Sequence, residues 1–369
     1  MKRLVLAGGG HAHIEVLRRF ALRPPDDVEL TLVTPQPRLI YTGMLPGLIA
    51  GHYRPDECMI DLEGLAARAQ CRWIAGSVAV IDTQRRSVVL READSLDYDL
   101  LSLDVGTAPP LDGVPGAREH AHPVKPADTL LQWWEGIVDD RALRPGLRIG
   151  VIGGGAGGVE LALAMRHRLT ASGARGARLF LLTDAPDILI DHHTRARRLL
   201  GSALRVQGIE VHTHARVTNV EDGLAFCGDG RDFAFDALVW ATGAAPPEWV
   251  AQTGLATAKR GFVGVRDTLQ CVSFDNVFAA GDVASMVNSP RPKSGVYAVR
   301  QGPVLAENLH SALMGRSLTS YRPQRRALAL ISTGARQAIA SRGALVLAGA
   351  WVWRWKDWID RRFVARYRA

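Results

Sequence analysis

Residues 148–162, RIGVIGGGAGGVELA, set Gly153, Gly155 and Gly158 at GxGxxG spacing between a run of small and apolar residues and a helix-forming segment. The chemistry that this pattern serves is phosphate binding. Gly153 permits a tight strand-to-helix turn, Gly155 lets the backbone approach a pyrophosphate, and Gly158 lets the helix pack closely on the strand, with the helix N-terminus facing the phosphate charge. Residues 3–13, RLVLAGGGHAH, repeat the arrangement with Gly8 and Gly10, then His11 and Ala12, and place His13 where the third glycine is expected. Two such turns in one chain suggest two dinucleotides, and two dinucleotides suggest electron transfer between them.

A third signal lies in residues 276–285, NVFAAGDVAS, where an apolar strand delivers Gly281 and Asp282. Glycine allows close approach to a ligand, and the aspartate can accept hydrogen bonds from ribityl hydroxyls or cap a following helix. The usual ribose-binding acid is missing from the first half, because the strand at 28–33 ends at Thr34. The Thr34 hydroxyl or the Arg38 guanidinium is therefore expected at the adenosine moiety. In the second half Asp184 stands one place beyond the expected acid, which favours NADH over NADPH. Arg195, Arg197 and Arg198 downstream read as a solvated basic helix, with contact to a 2′-phosphate as the alternative.

These residues need strands and helices to hold them. A strand at 3–7, a helix through Phe20 and a strand at 28–33 form one βαβ pattern, and strands at 148–152 and 177–182 around a helix form another. The segments 100–108, LLSLDVGTA, and 237–245, ALVWATGAA, echo each other, ending in Gly106-Thr107 and Thr242-Gly243, as a duplicated unit would. Residues 40–53 form an irregular glycine-rich loop that could line a flavin ring or serve as a buried connection. A strand, turn and returning strand occupy 72–90, and the proline-rich stretch 109–126 is the best linker, followed by a helix at 127–140. Further short strands are expected at 208–217, in a hairpin at 223–235 and at 327–339, and a long helix starts within 293–308. The last helix, at 351–367, places Val352, Trp355, Ile359 and Phe363 along one side, with Arg354, Arg361 and Arg366 around them.

The fold class that follows is α/β: two Rossmann-like dinucleotide-binding domains with a C-terminal α+β appendage. The expected boundaries are 1–112 and 261–315 for the two parts of the first dinucleotide-binding domain, 113–260 for the second and 316–369 for a C-terminal segment.

The 369 residues carry apolar content for two cores, and the four cysteines, Cys58, Cys71, Cys227 and Cys271, form no CxxC or CxxxxC pair. They supply neither a redox dithiol nor a metal-ligand cluster, and read as reduced packing residues of a cytoplasmic protein. No metal site is expected. The formal charge of +8 is concentrated in residues 316–369, which hold twelve Arg or Lys against two Asp, so the rest of the chain is slightly acidic. Such a tail suits an anionic partner; nucleic acid is a third reading that nothing but the tail's basicity recommends, and it is not expected as a partner. The longest apolar run there, ten residues at 344–353, is about half of the ~20 needed to span a bilayer.

With GGGHAH, YTGMLPGLIAGHY, GVYAVRQGPVLAENL and WVWRWKDWIDRRF in place, the chain resembles the pyridine nucleotide-disulfide oxidoreductase superfamily. Within it the chain is most similar to type II NADH dehydrogenases and sulfide:quinone oxidoreductases, in a branch found beside or fused to selenide, water dikinase. The resemblance implies FAD in the first unit, at Gly8, Gly10, Val78 and Asp282, and NAD(P)H in the second, at Gly153, Gly155, Gly158 and Asp184. It further implies Glu160 near the nicotinamide, and Ala298, Arg300 and Gln301 at the helix start below the isoalloxazine. There Lys293 could add positive charge, or be an ordinary surface lysine. The cysteines that sulfide oxidation needs are missing after Cys271. What remains is hydride transfer from NAD(P)H to FAD, with a quinone as the implied acceptor. Type II NADH dehydrogenases use their C-terminal region at the inner face of the membrane, so the 351–367 helix is expected to meet lipid headgroups or to pack on the flavin domain or a second subunit. A soluble reductase of an acidic electron carrier and a slow-turnover FAD-binding partner in selenium metabolism are the rival readings.

Overall fold

Each glycine turn is fed by a continuous apolar strand, the pattern of a parallel sheet covered by helices on both faces. The computed structural model of the chain describes residues 1–92, 94–140 (Asp140 by its backbone alone), 146–174 and 176–368. Labels here cover the main strands and the longer helices. The first sheet uses β1 (Lys2–Ala7), β2 (Val28–Val33), β3 (Arg72–Ile74) and β4 (Leu100–Leu103), with helix α1 (His11–Leu22) after β1. The chain then crosses to a second sheet through β5 (His122–Pro123) and helix α2 (Ala127–Asp140), followed by β6 (Arg148–Ile152), helix α3 (Ala156–Ala171) and β7 (Arg178–Leu182). Helix α4 (Thr194–Val206), β8 (Ile209–His212) and β9 (Ala237–Trp240) complete it, and β10 (Val277–Ala279) returns to the first sheet. Helix α5 (Gly295–Leu313) follows.

The two halves repeat. The strand orders are β10-β4-β1-β2-β3 and β5-β9-β6-β7-β8, both parallel, and each half inserts a three-stranded antiparallel sheet just before the strand that pairs with its glycine-turn strand, β4 in the first and β9 in the second. Register then decides where chemistry can happen. Ala7 pairs with Val33 and with Leu103, and Leu103 pairs with Ala279, so Gly8, Thr34, Asp104 and Ala280 end their strands side by side. Ile152 likewise pairs with Leu182 and Trp240, which levels Gly153 with Thr183 and Ala241. Ligands in such sheets sit beyond the carboxyl ends of the strands.

The echo between 100–108 and 237–245 has a structural meaning. The two crossings between the halves pair with each other, Ala108 and Ala245 exchanging backbone hydrogen bonds of 3.2 and 2.9 Å. The stretch 72–90 departs from its expected form, because β3 joins the parallel sheet while Val78–Asp82 and Ser87–Leu90 pair antiparallel as a separate ribbon. A single run of apolar residues conceals that change of sheet.

After α5 the chain forms an antiparallel sheet of β11 (Ala329–Thr333), β12 (Ala335–Arg342) and β13 (Leu345–Gly349), then helix α6 (Ala350–Tyr367). The expected side of α6 is corrected by the structure. Val352 and Phe363 are buried as expected, but with Trp353, Lys356, Asp360, Val364 and Tyr367, whereas Trp355 is exposed and Ile359 is only partly covered. The reason is an ion pair: Lys356 Nζ donates to Asp360 Oδ2 at 2.7 Å inside the packed face, so two charged residues occupy positions that hydropathy assigns to solvent.

This appendage ties both halves together. At the β11–β12 turn Gly334 has φ +86°, its carbonyl meets His52 Nε2 at 2.8 Å, and a Cβ there would lie 2.2 Å from the Leu163 carbonyl of α3. Gly334→Ala is expected to cost about 2 kcal/mol or more, from left-handed strain and backbone overlap. Gly315→Ala, at φ +65° with nothing within 4 Å, tests strain alone and should cost about 1–2 kcal/mol. Thermal melts of the two variants check the difference; equal losses would remove the close contact from the account.

Candidate functional site

The first glycine turn is held by backbone contact. Gly8 has φ +98°, and a Cβ there would lie 2.4 Å from the Asp104 carbonyl, so only glycine lets β1 turn against the end of β4. Gly10 precedes α1, whose first amides point into the turn, and a Cβ on Gly10 would meet the Asp104 carboxyl at 2.3 Å. His13, in the place of the third glycine, is buried with Nδ1 2.6 Å from the Gly8 carbonyl and Nε2 2.8 Å from Ser102 Oγ. It braces the turn from behind, while burial lowers its pKa to about 4 and keeps the ring neutral near pH 7. His11 points elsewhere: its ring lies beside Tyr41, and its Nε2 is shielded from solvent without a hydrogen-bond partner. Burial lowers this ring to about 4 also, with Asp282 opposing and Lys125 adding to the fall.

A polar cluster closes the same end. Asp282 pairs with Lys125 at 2.8 Å, and Lys125 also reaches Thr107 Oγ1 at 3.4 Å. Gly281 has φ +66° and donates its amide to Gln301 Oε1 at 2.7 Å, fixing the turn against α5, with Ala298 beside it. Asp282 caps no helix, because Ala284–Met286 after it form a strand. Lys293 is no ordinary surface lysine: it is half-buried, its Nζ donates to the Ala284 carbonyl and it lies 3.9 Å from the Phe262 ring centroid. Burial lowers its pKa to about 8, with Asp282 opposing. Gly281, Asp282, Lys293, Ala298 and Gln301 line one small cavity. Arg300 is not brought there, being exposed on α5 beside the buried Gln301. Thr34 is buried behind Gly9, Val78 begins the antiparallel ribbon, and Arg38 is exposed, lining an open cleft with Asp61 and Arg368. Gly106, at φ +72°, has open space around it.

The second turn matches the spacing argument closely. Gly153 has φ +132° with the Ala241 carbonyl 2.7 Å from a virtual Cβ, and Gly158 would place a Cβ 2.0 Å from the Gly153 carbonyl. Gly155 has nothing within 4 Å, so its side faces free space at the start of α3. Asp184 is exposed just past β7, and Thr242 and Gly243 follow β9, Gly243 at φ +60° against Pro110. Arg197 pairs with Asp187, while Arg195 and Arg198 are exposed on α4. Glu160 turns toward the appendage, its Oε1 accepting the Ser332 amide at 2.7 Å; burial raises its pKa and Lys356 opposes the rise.

The residues fit two dinucleotides. At the first turn the unpartnered His11 Nε2 and the left-handed Gly8 and Gly281 suit an extended ligand laid close to backbone; at the second, the open Gly155 at a helix N-terminus suits a pyrophosphate. Sequence reasoning missed Lys125 and Asp104. Lys125 lies in the proline-rich linker and meets Asp282 only through the fold, but Asp104 left a signal: an acid ending a buried apolar strand. The four cysteines are buried and unpaired, and burial pushes the thiols of Cys58, Cys71 and Cys271 to about 12.

Comparison with known proteins points the same way. The family described as pyridine nucleotide-disulphide oxidoreductase matches residues 2–302. NADH dehydrogenase-like protein YutJ of Bacillus subtilis is 24% identical over 334 residues, covering 88% of this chain and 87% of its own length. Demethylphylloquinone reductase NdbB of Synechocystis is 26% identical over 354 residues, covering 90% and 85%. Among solved structures, sulfide:quinone oxidoreductase of Aquifex aeolicus aligns with a TM-score of 0.81 at 20% identity, covering 100% of this chain and 92% of that one. NDH2 of Plasmodium falciparum, solved with NADH, aligns at 0.79 and 13% identity, covering 98% and 97%.

The Lys293 environment is testable by itself. Dimethylation with a labelled reagent and NMR titration should give one lysine with a midpoint of about 8, lost in Lys293→Arg. A midpoint near the free-lysine value of about 10.4 would contradict the half-buried placement.

Proposed function

The chain belongs to the pyridine nucleotide-disulphide oxidoreductase family, as an NADH dehydrogenase-like flavoprotein oxidoreductase using FAD and NAD(P)H, and from that premise we propose that it passes electrons to a quinone at a membrane surface. When bound, NAD(P)H supplies a hydride and FAD accepts it and releases the electrons to an acceptor. The protein's part is positioning and electrostatics.

In this reading Gly153, Gly155, Gly158 and Asp184 hold the nicotinamide dinucleotide, and Gly8, Gly10, His11, Ala12, Gly281 and Asp282 hold FAD. Gln301 keeps the Gly281 turn fixed, and Lys125 offsets the Asp282 charge that would otherwise repel a phosphate. The N-terminus of α5, with Ala298 in its first turns and Lys293 just before it, favours negative charge in the adjoining cavity. Glu160 is held by the Ser332 amide and so acts from the seam between the second half and the appendage.

The acceptor assignment rests on α6. Its inner face packs on the first half, where Lys356 Nζ donates to the Gly43 carbonyl and Phe363 stacks on Tyr41 at 4.3 Å between centroids. Its outer face exposes Trp351, Trp355 and Trp358 at 50%, 36% and 57%, among exposed Arg354 and Arg362. Indole rings beside guanidinium groups suit the headgroup layer of a bilayer, and no helix among the described residues is long and apolar enough to cross one. One helix thus joins the site of the first half to a surface suited to lipid. The NdbB relative is named as a reductase of demethylphylloquinone, which supports a quinone acceptor here.

The test uses vesicles of anionic lipid carrying a long-chain quinone, compared with a water-soluble short-chain quinone. The double variant Trp355→Ser, Trp358→Ser should lose at least about tenfold of its turnover with the vesicles, since two exposed anchors each contribute on the order of 1 kcal/mol or more. Turnover with the soluble quinone should be unchanged. Equal turnover in both assays, or NADH oxidation with neither quinone, would sink the proposal.

A further inference from the structure

Asp104 occupies a place where a second negative charge is costly. It follows β4, is 3% exposed, and its Oδ2 accepts the amides of Ala12 at 2.7 Å and His13 at 3.1 Å, the first amides of α1. Its carboxyl lies against both glycine turns assigned to FAD: a Cβ on Gly10 would be 2.4 Å from either oxygen, and one on Gly281 would be 2.2 Å from Oδ1. The groups around it are few. Asp282 faces it from the turn after β10 and is paired with Lys125 from the linker; α1 contributes the neutral His11 and the His13 ring, which is committed to the Gly8 carbonyl and Ser102; α5 contributes uncharged Gln301. Burial pushes the Asp104 carboxyl up to about 7; the His13 and Ala12 amides and Lys125 oppose this, and Asp282 adds to it.

A pyrophosphate brings further negative charge to the same helix N-terminus. Two carboxylates and Lys125 are already there, Lys125 is spent on Asp282, and Lys293, on the far side of Asp282, is held by the Ala284 carbonyl. We infer that Asp104 is a proton-carrying ligand of FAD, so that the cofactor binds together with one proton taken from solvent onto the Asp104 carboxyl, which then donates a hydrogen bond toward the pyrophosphate. This rests on the reading that the first glycine turn holds FAD. No electron moves in this step; one O–H bond forms on the carboxyl as hydronium or buffer gives up its proton. The sign follows from linkage. The binding-competent form is the protonated one, so affinity is full below the carboxyl's own titration and falls as pH rises through it, by up to about tenfold per pH unit.

The FAD-loaded protein serves for the test. Free FAD is measured by fluorescence after dilution at values between roughly pH 6 and 9, and the infrared carbonyl band of a protonated carboxylic acid is sought near pH 8. The expected result is FAD release that steepens above about pH 7, approaching tenfold per unit, with the acid band present in the loaded protein. Asp104→Asn, which keeps a donor and removes the charge, should hold FAD with the steep dependence and the band both gone. Tight FAD binding that is flat with pH and shows no acid band would overturn this inference and leave the FAD site standing. A wild-type slope that survives in Asp104→Asn would also overturn it. Failure of the wild-type protein to hold FAD at any pH would overturn the site reading and the inference together.

Discussion

Backbone packed on backbone at the carboxyl ends of the two sheets is the constraint on which the rest depends. A Cβ on Gly8 would fall within 2.4 Å of the Asp104 carbonyl, and one on Gly153 within 2.7 Å of the Ala241 carbonyl. Such approach removes side chains where two strands and a helix start meet. What it leaves is a floor of amides and a helix terminus, which binds negative charge without needing a cation at each site. Register places the remaining groups, because Asp104 ends β4 beside β1 and the turn at Gly281 ends β10 beside β4, just as Ala241 ends the strand next to β6. The paired crossings at Ala108 and Ala245 join the two halves at these ends.

Charge is handled differently in the interior. Lys356 and Asp360 are buried together at 2.7 Å, the Tyr41 hydroxyl lies beside Asp360, and Glu160 lies close enough for Lys356 to lower its pKa against the effect of burial. A pair of this kind adds little net stability, but stripping one partner leaves a buried charge at a cost of roughly 3–5 kcal/mol. It therefore selects one seating of α6 over others with similar apolar contact. That seating determines which face of the helix remains outside, and the face left outside is the one with Trp351, Trp355 and Trp358.

Much of this was legible in the sequence, for a physical reason. Parallel strands buried on both faces read as apolar runs, and turns with φ above zero read as glycine, so β1, β2, β6, β7 and the turns at Gly8, Gly153 and Gly281 stand where the chain alone places them. The repeated antiparallel insert was half legible, since the hairpin at 223–235 is bounded by turn residues while β3 merges with the ribbon after it. Lys125 was not legible, because its partner is 157 residues away and only the fold unites them. The buried side of α6 was misread because Lys356 and Asp360 satisfy each other inside, which no hydropathy pattern encodes. Asp104 is visible in the sequence as an acid closing the apolar run 100–103, but Gly8, Gly10 and Gly281 come to it only through the fold.

The central claim is that one half of the chain presents a nicotinamide dinucleotide to FAD held by the other half. It is tested most directly by anaerobic titration of the purified protein with NADH while the visible flavin band is followed. Bleaching complete at about one NADH per FAD is the result expected, since the hydride carries two electrons and the flavin accepts two. A yellow protein whose band neither NADH nor NADPH bleaches would contradict the account.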